Sequence, residues 1–204
     1  SADSLRWRDD PVYGWLNKNR KSDGSKYDLD RDGLRVYTTI NYKMQQYAEE
    51  AVEQHLGSRL QKDFNRELKW KRNAPFSNDV DKETVDRAMN QARRWSDRWR
   101  MGKKNGLSDK EILAQFSQPA EMTLFAWNKR HRIDTVMTPD DSIRYCKSIL
   151  RAGFAAMEPG TGYVKAYVGG PNYTFFKYDN VRQGRRQVSS TVKPFLYTLA
   201  MQEG

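Results

Sequence analysis

The stretch GFAAMEPGTGYVKAYVGG, Gly153 to Gly170, constrains the fold most. Two short apolar runs alternate in and out of polarity and are joined by Pro-Gly-Thr-Gly. That pattern predicts an antiparallel β-hairpin closed by a turn that needs glycine. A hairpin alone is not stable in water, so it needs a helix or further strands on its apolar face. The flanking sequence offers helices. Thr138 to Leu150, TPDDSIRYCKSIL, has Thr138 as N-cap, Pro139 at the first helical position and Asp141 three residues after the cap. After the hairpin an aromatic link, PNYTFFKYDNVRQGRRQ, leads into an apolar helix that starts near Ser190.

Upstream, LRVYTTI from Leu34 to Ile40 alternates β-branched and aromatic residues and predicts a strand. From Tyr42 the period changes: Met44, Tyr47, Ala48, Ala51, Val52 and Leu56 recur at three and four, which predicts a helix. Residues 1–33 are polar and broken by Pro11, Gly14, Gly24 and Gly33, and read as a linker or arm. From Gln61 to Asn105 a thin apolar seam at helical spacing includes Phe64, Leu68, Trp70, Val85, Met89, Trp95 and Trp99, with RNAPFSND as a break between two helices. Tryptophan at that spacing is expected in the core. LSDKEILAQF predicts a short helix with Ser108 and Glu111 as a capping box, and EMTLFAW a strand. The order of strand, long helical insert, strand, helix, hairpin, helix gives an α+β class.

Charge narrows the partners. The chain of 204 residues carries a formal charge of +10. Nucleic acid, an anionic membrane surface and acidic substrates all suit that sign, as does a solvated Lys/Arg face. No nucleic-acid motif accompanies the basic stretch, so no nucleic acid partner is expected. One cysteine, Cys146, and two histidines, His55 and His131, give no expectation of a metal, and no cofactor is expected. No apolar run reaches the roughly 20 residues needed to cross a bilayer.

Ser190 and Lys193 are three residues apart, so a helix starting at Ser190 puts both on one face. A serine hydroxyl needs a base to become a nucleophile. A lysine serves as that base when burial or cationic neighbours, such as Arg185 and Arg186, lower its pKa. The alternative is ordinary: Ser190 caps the helix and Lys193 is a solvated residue of its first turn.

The hairpin, the aromatic link, Arg-Gln and then S-x-x-K-P-F with an apolar helix resemble the transpeptidase domain of class A, bifunctional penicillin-binding proteins. YDLDRDGLRVYTTINYKMQQYAEEAV is similar to the linker that follows their glycosyltransferase domain. The resemblance covers residues 27–56 and 150–203, and hardly touches the basic stretch between them. TPDDSIRYCKSIL and the large insert look most like Bacteroidetes-type members. The resemblance implies residues 1–33 as an interdomain arm, 34–60 as the start of the transpeptidase region, 61–120 as a basic helical insert and 121–204 as the N-terminal part of the transpeptidase domain. The expected fold is therefore a partial transpeptidase domain, an antiparallel sheet with helices, plus the insert.

By that resemblance Ser190 is the acylating nucleophile and Lys193 its proton acceptor. The implied partners are peptidoglycan stem peptides or their lipid-linked precursor, β-lactams, a membrane reached through a segment outside this sequence, and cell-wall machinery proteins. The implied location is the periplasmic face of the cytoplasmic membrane. Two departures stand out: the family's Pro-Gly before the serine is Val188-Ser189 here, and no Ser-x-Asn or Lys-Thr-Gly element follows. The expectation is a fragment of a peptidoglycan synthase that is inactive alone. The rival reading is a non-catalytic interaction module whose basic insert binds a protein partner, a glycan or a membrane surface.

Overall fold

The computed structural model describes residues 11–185 and 187–203. The chain divides into two units, Ser1–Thr39 and Ile40–Gly204. In the first, helix α1 (Pro11–Lys18) leads into a loop that turns back at Gly24. An isolated bridge joins Arg20 to Lys26, the Trp15 and Tyr27 rings lie 5.1 Å apart, and Lys21 pairs with Asp32 at 2.5 Å. The strand expected over Leu34–Ile40 does not form. A strand needs a neighbour to take its backbone hydrogen bonds, and no strand among the described residues pairs with this segment, which leaves Val36 and Tyr37 exposed.

The second unit begins with one helical rod: α2 (Tyr42–Val52), a π-helical stretch (Glu53–Leu60) and α3 (Gln61–Leu68). Asn41 caps it, its side chain accepting from the Met44 N–H at 3.1 Å. Gly57 is fixed by close approach, since a Cβ there would sit 2.6 Å from the Trp127 ring. The break expected at RNAPFSND is present between α3 and α4 (Lys82–Trp95). A second break, which periodicity did not reveal, falls at Ser96. Its hydroxyl donates to the Arg93 carbonyl and accepts from the Trp99 N–H, ending α4 and starting α5 (Asp97–Lys104). Helix α6 (Asp109–Phe116) opens on the expected capping box of Ser108 and Glu111.

Strand β1 (Ala120–Leu124) pairs antiparallel with β2 (Ile133–Met137), from Ala120 opposite Met137 to Leu124 opposite Ile133. β2 was not expected from the sequence. Helix α7 (Pro139–Ser148) follows, with Thr138 accepting from the Asp141 N–H at 3.1 Å. The hairpin of β3 (Phe154–Met157) and β4 (Val164–Val168) is as expected, with a register shift between Ala156 and Met157. A 3-10 turn (Ser189–Val192) and helix α8 (Lys193–Glu203) end the described chain. The class is α+β, with two small antiparallel sheets.

Three small cores hold the unit together. Ala48 of α2 packs on Ala166 and Val168 of the hairpin. Trp99, Ile112 and Phe116 join α5 and α6, with Ile143 of α7 against them, so residues on both sides of position 120 share one core. Gly102 lets α5 approach, because a Cβ there would lie 2.7 Å from Ile112. Phe125, Ile149 and Phe176 form the third core, where the aromatic link after β4 meets the ends of β1 and α7. The expected tryptophan seam is corrected in part: Trp99 is 8% exposed, but Trp70 is 86% and Trp95 75% exposed. Trp70 falls in the break after α3 and Trp95 at the last position of α4, where the chain turns away before a neighbour covers the ring.

Candidate active site

The approach to Ser190 is anchored at the end of β4. The Gly169 carbonyl accepts from the Asn180 backbone N–H at 2.7 Å and from its side-chain amide at 2.8 Å. Asp179 accepts from the Val181 and Arg182 N–H groups through one oxygen and from the Tyr167 hydroxyl, at 2.5 Å, through the other. Burial pushes the Tyr167 phenol up to about 12, with the hydrogen bond to Asp179 adding to it. For Asp179 burial acts upward, but the hydrogen bonds from Tyr167, Arg182 and Val181 outweigh it and leave the carboxyl below its ordinary value. The aromatic link is thus pinned to the hairpin as far as Arg182.

Beyond it, Ser190 is the second residue of the 3-10 turn and Lys193 the first of α8. The Lys193 N–H donates to the Ser190 carbonyl, and in a 3-10 turn residues three apart lie over one another. The structure therefore puts the two side chains one turn apart. Ser190 does not cap the turn: the cap position is Val188, and no side chain makes a cap hydrogen bond there. Ser189 has φ +45°, in the left-handed region that glycine adopts freely and that costs another L-residue about 1–2 kcal/mol. The glycine expected by resemblance at this position has a backbone reason, and the serine that replaces it is strained. Thr191 bonds back to the Val188 carbonyl.

Every described residue from Gln187 to Glu203 is exposed, Ser190 and Lys193 included. The burial on which a lysine base depends is not supplied by the described residues. Arg185 is exposed, and Arg186 lies outside the described residues. Cys146 offers no rival nucleophile, because burial raises its thiol above the ordinary value. No group of three or more metal-ligating side chains occurs among the described residues.

Two concavities were not anticipated. A cleft of about 670 Å³ lies between α2 and the link after β4, with Glu49, Glu50, Glu53, Asp179, Trp127 and Tyr173 in its wall; neither Ser190 nor Lys193 lines it. The acidic run Glu49, Glu50 and Glu53, across the end of α2 and the start of the π-helical stretch, is the one local signal for it, and nothing local announces the loop that faces it. An apolar groove of about 460 Å³ runs between α2 and the hairpin, past Met44, Tyr47, Phe154 and Ala156. No helix among the described residues is long and apolar enough to cross a membrane.

Comparison with known proteins adds the context. Residues 71–150 match the family model of the penicillin-binding protein middle domain. The helical stretch expected as an insert outside the resemblance is thus similar to that domain over residues 71–120. Fifty-seven residues are 46% identical to penicillin-binding protein 2D of Bacillus subtilis, covering 28% of this chain and 8% of that protein. A match to penicillin-binding protein 1A of Vibrio cholerae is 45% identical over 51 residues, 25% of this chain and 6% of the relative. One to penicillin-binding protein 1A of Escherichia coli is 40% identical over 55 residues, 27% and 6%. The matched stretches span less than a tenth of these relatives' lengths. No solved structure matches. Over the segments that match, the relatives of this chain are penicillin-binding proteins.

Proposed function

We propose that this chain carries the start of an acyl-serine D,D-transpeptidase region of a class A, bifunctional penicillin-binding protein, with Ser190 as nucleophile and Lys193 as proton acceptor. The observation that carries the reading is the S-x-x-K pair set one turn apart at the head of an apolar helix, in a chain whose matching relatives are penicillin-binding proteins. Ser190 Oγ attacks the carbonyl of the penultimate D-Ala of a stem peptide and its proton passes to the Lys193 amine. The amide C–N bond breaks, the terminal D-Ala leaves with a proton, and an ester joins the peptide to Ser190. An amine of a neighbouring stem peptide then attacks the ester, forming the cross-link and freeing the serine. A β-lactam ring opened by the same attack leaves a stable ester. The work is done outside the cytoplasm, where peptidoglycan is assembled.

The chain as it stands is inactive in this reading. A lysine base needs desolvation and an acyl intermediate needs oxyanion donors, and Ser190 and Lys193 sit on a bare helix. Labelling with a fluorescent penicillin tests this. A chain extended through Ser-x-Asn and Lys-Thr-Gly elements is labelled at Ser190, and labelling is lost in Ser190→Ala and falls at least 100-fold in Lys193→Ala. Stoichiometric labelling of the present chain at Ser190 would sink the inactivity claim, and labelling of the extended chain at another serine would sink the assignment.

A further inference from the structure

The corner where α4 gives way to α5 joins exposed apolar side chains to a run of cations. Trp95, the last residue of α4, is 75% exposed, and Met101 on α5 is 53% exposed. Between Arg94 and Lys104 the chain places five cations, Arg94, Arg98, Arg100, Lys103 and Lys104, against the single carboxylate Asp97; Arg100 pairs with Asp97 and Lys103 with Asp109, which leaves Arg94, Arg98 and Lys104 outside these ion pairs. The buried side of α5 is set by Trp99 and Gly102, so helical spacing turns Met101 and Lys104 outward. Packing accounts for Trp99, which lies under Arg94 and Lys103 at 5.6 and 6.0 Å. It does not account for Trp95 or Met101.

From this we infer that the α4–α5 corner docks on the surface of an anionic lipid bilayer. An indole is amphipathic and settles at headgroup depth, a thioether adapts to the acyl boundary, and guanidinium and ammonium groups meet anionic headgroups. Charge complementarity selects an anionic surface. A single exposed ring beside a methionine, rather than a row of rings, favours lipid over stacked bases. The inference rests on the corner alone and stands whether or not Ser190 is acylated.

The test is co-sedimentation of the full chain with vesicles of phosphatidylcholine alone and of phosphatidylcholine with phosphatidylglycerol, at low and high salt. Binding is expected to the anionic vesicles only and to weaken as salt rises. Arg98→Gln and Lys104→Gln should each lower affinity about 5-fold. Trp95→Phe should lose most of the emission quenching that brominated lipids cause in the parent chain. Lys129→Gln, a charge-matched change in the connection between β1 and β2, should leave binding unaltered. Equal binding to both vesicles would overturn the inference. So would an equal loss in the control variant, or failure to bind vesicles while a single-stranded oligonucleotide binds in an Arg98-dependent way.

Discussion

Helices α5 and α6 are less apolar than helix α8, yet they bury apolar side chains and α8 buries none. In the first pair Trp99, Ile112 and Phe116 fall on one side and close on each other with Ile143 of α7, while Met101 and Leu113 stay exposed. In α8, Phe195, Leu196, Tyr197, Leu199 and Met201 point around the whole helix, and all are exposed. A helix with one apolar stripe is built for one partner, whereas a helix apolar all round is built to be enclosed. The contrast is between a helical stretch that buries apolar residues of its own and a segment bearing Ser190 whose large apolar side chains are all exposed.

The sharpest way to break that contrast is to truncate one residue in each. Phe116→Ala should cost about 3–5 kcal/mol in urea unfolding, from lost burial and the cavity left behind. Leu196→Ala should stay within about 0.5 kcal/mol. A comparable loss at both positions would mean that α8 is covered in solution. Next in size is Gln61, 4% exposed at the start of α3. Its amide donates to the Ser148 carbonyl at 2.9 Å and accepts from the Leu150 N–H at 2.8 Å and the Trp127 indole at 3.3 Å. Gln61→Ala strands those buried groups and should cost about 2–3 kcal/mol by the same measurement.

Much of this was legible because it is local. The caps at Ser108 and Thr138, the hairpin turn and the break after α3 are written in a few adjacent residues whose backbone preferences agree. What was not legible depends on residues far apart. β2 reads as polar, since Asp134 and Thr135 interrupt its apolar residues, and it exists because β1 accepts it in register. The strand expected over Leu34–Ile40 has the right residues, but no strand among the described residues pairs with it. Of the candidate site, the spacing of Ser190 and Lys193 was plain from the sequence. The 3-10 turn that carries Ser190, the positive φ at Ser189 and the cleft beside Asp179 were not: no glycine or capping residue marks the turn, and the cleft forms only where the aromatic link is pinned to β4.

Two smaller effects sharpen the picture of the site's approach. Ser189→Gly should relieve the left-handed backbone and stabilise the turn by about 0.5–1 kcal/mol, seen as slower amide exchange over residues 190–193. The Tyr167–Asp179 bond should show in the pH profile. A phenol raised by folding contributes stability that is whole below its ordinary value near 10 and is lost as pH climbs through about 12. A carboxyl lowered by folding contributes stability above its ordinary range and loses it as pH falls through its folded value. Tyr167→Phe should therefore lessen the alkaline loss between pH 10 and 12, followed by unfolding midpoint against pH, with Tyr145 and Cys146, also raised by burial, supplying the remainder.

The most direct measurement is intact mass after incubation with a β-lactam, on this chain and on one extended through the elements that would enclose α8. One adduct is expected on the longer chain, mapped to Ser190 and absent in Ser190→Ala, and none on the present chain. If neither chain gains mass, Ser190 and Lys193 are not nucleophile and base, and the proposed reaction is wrong.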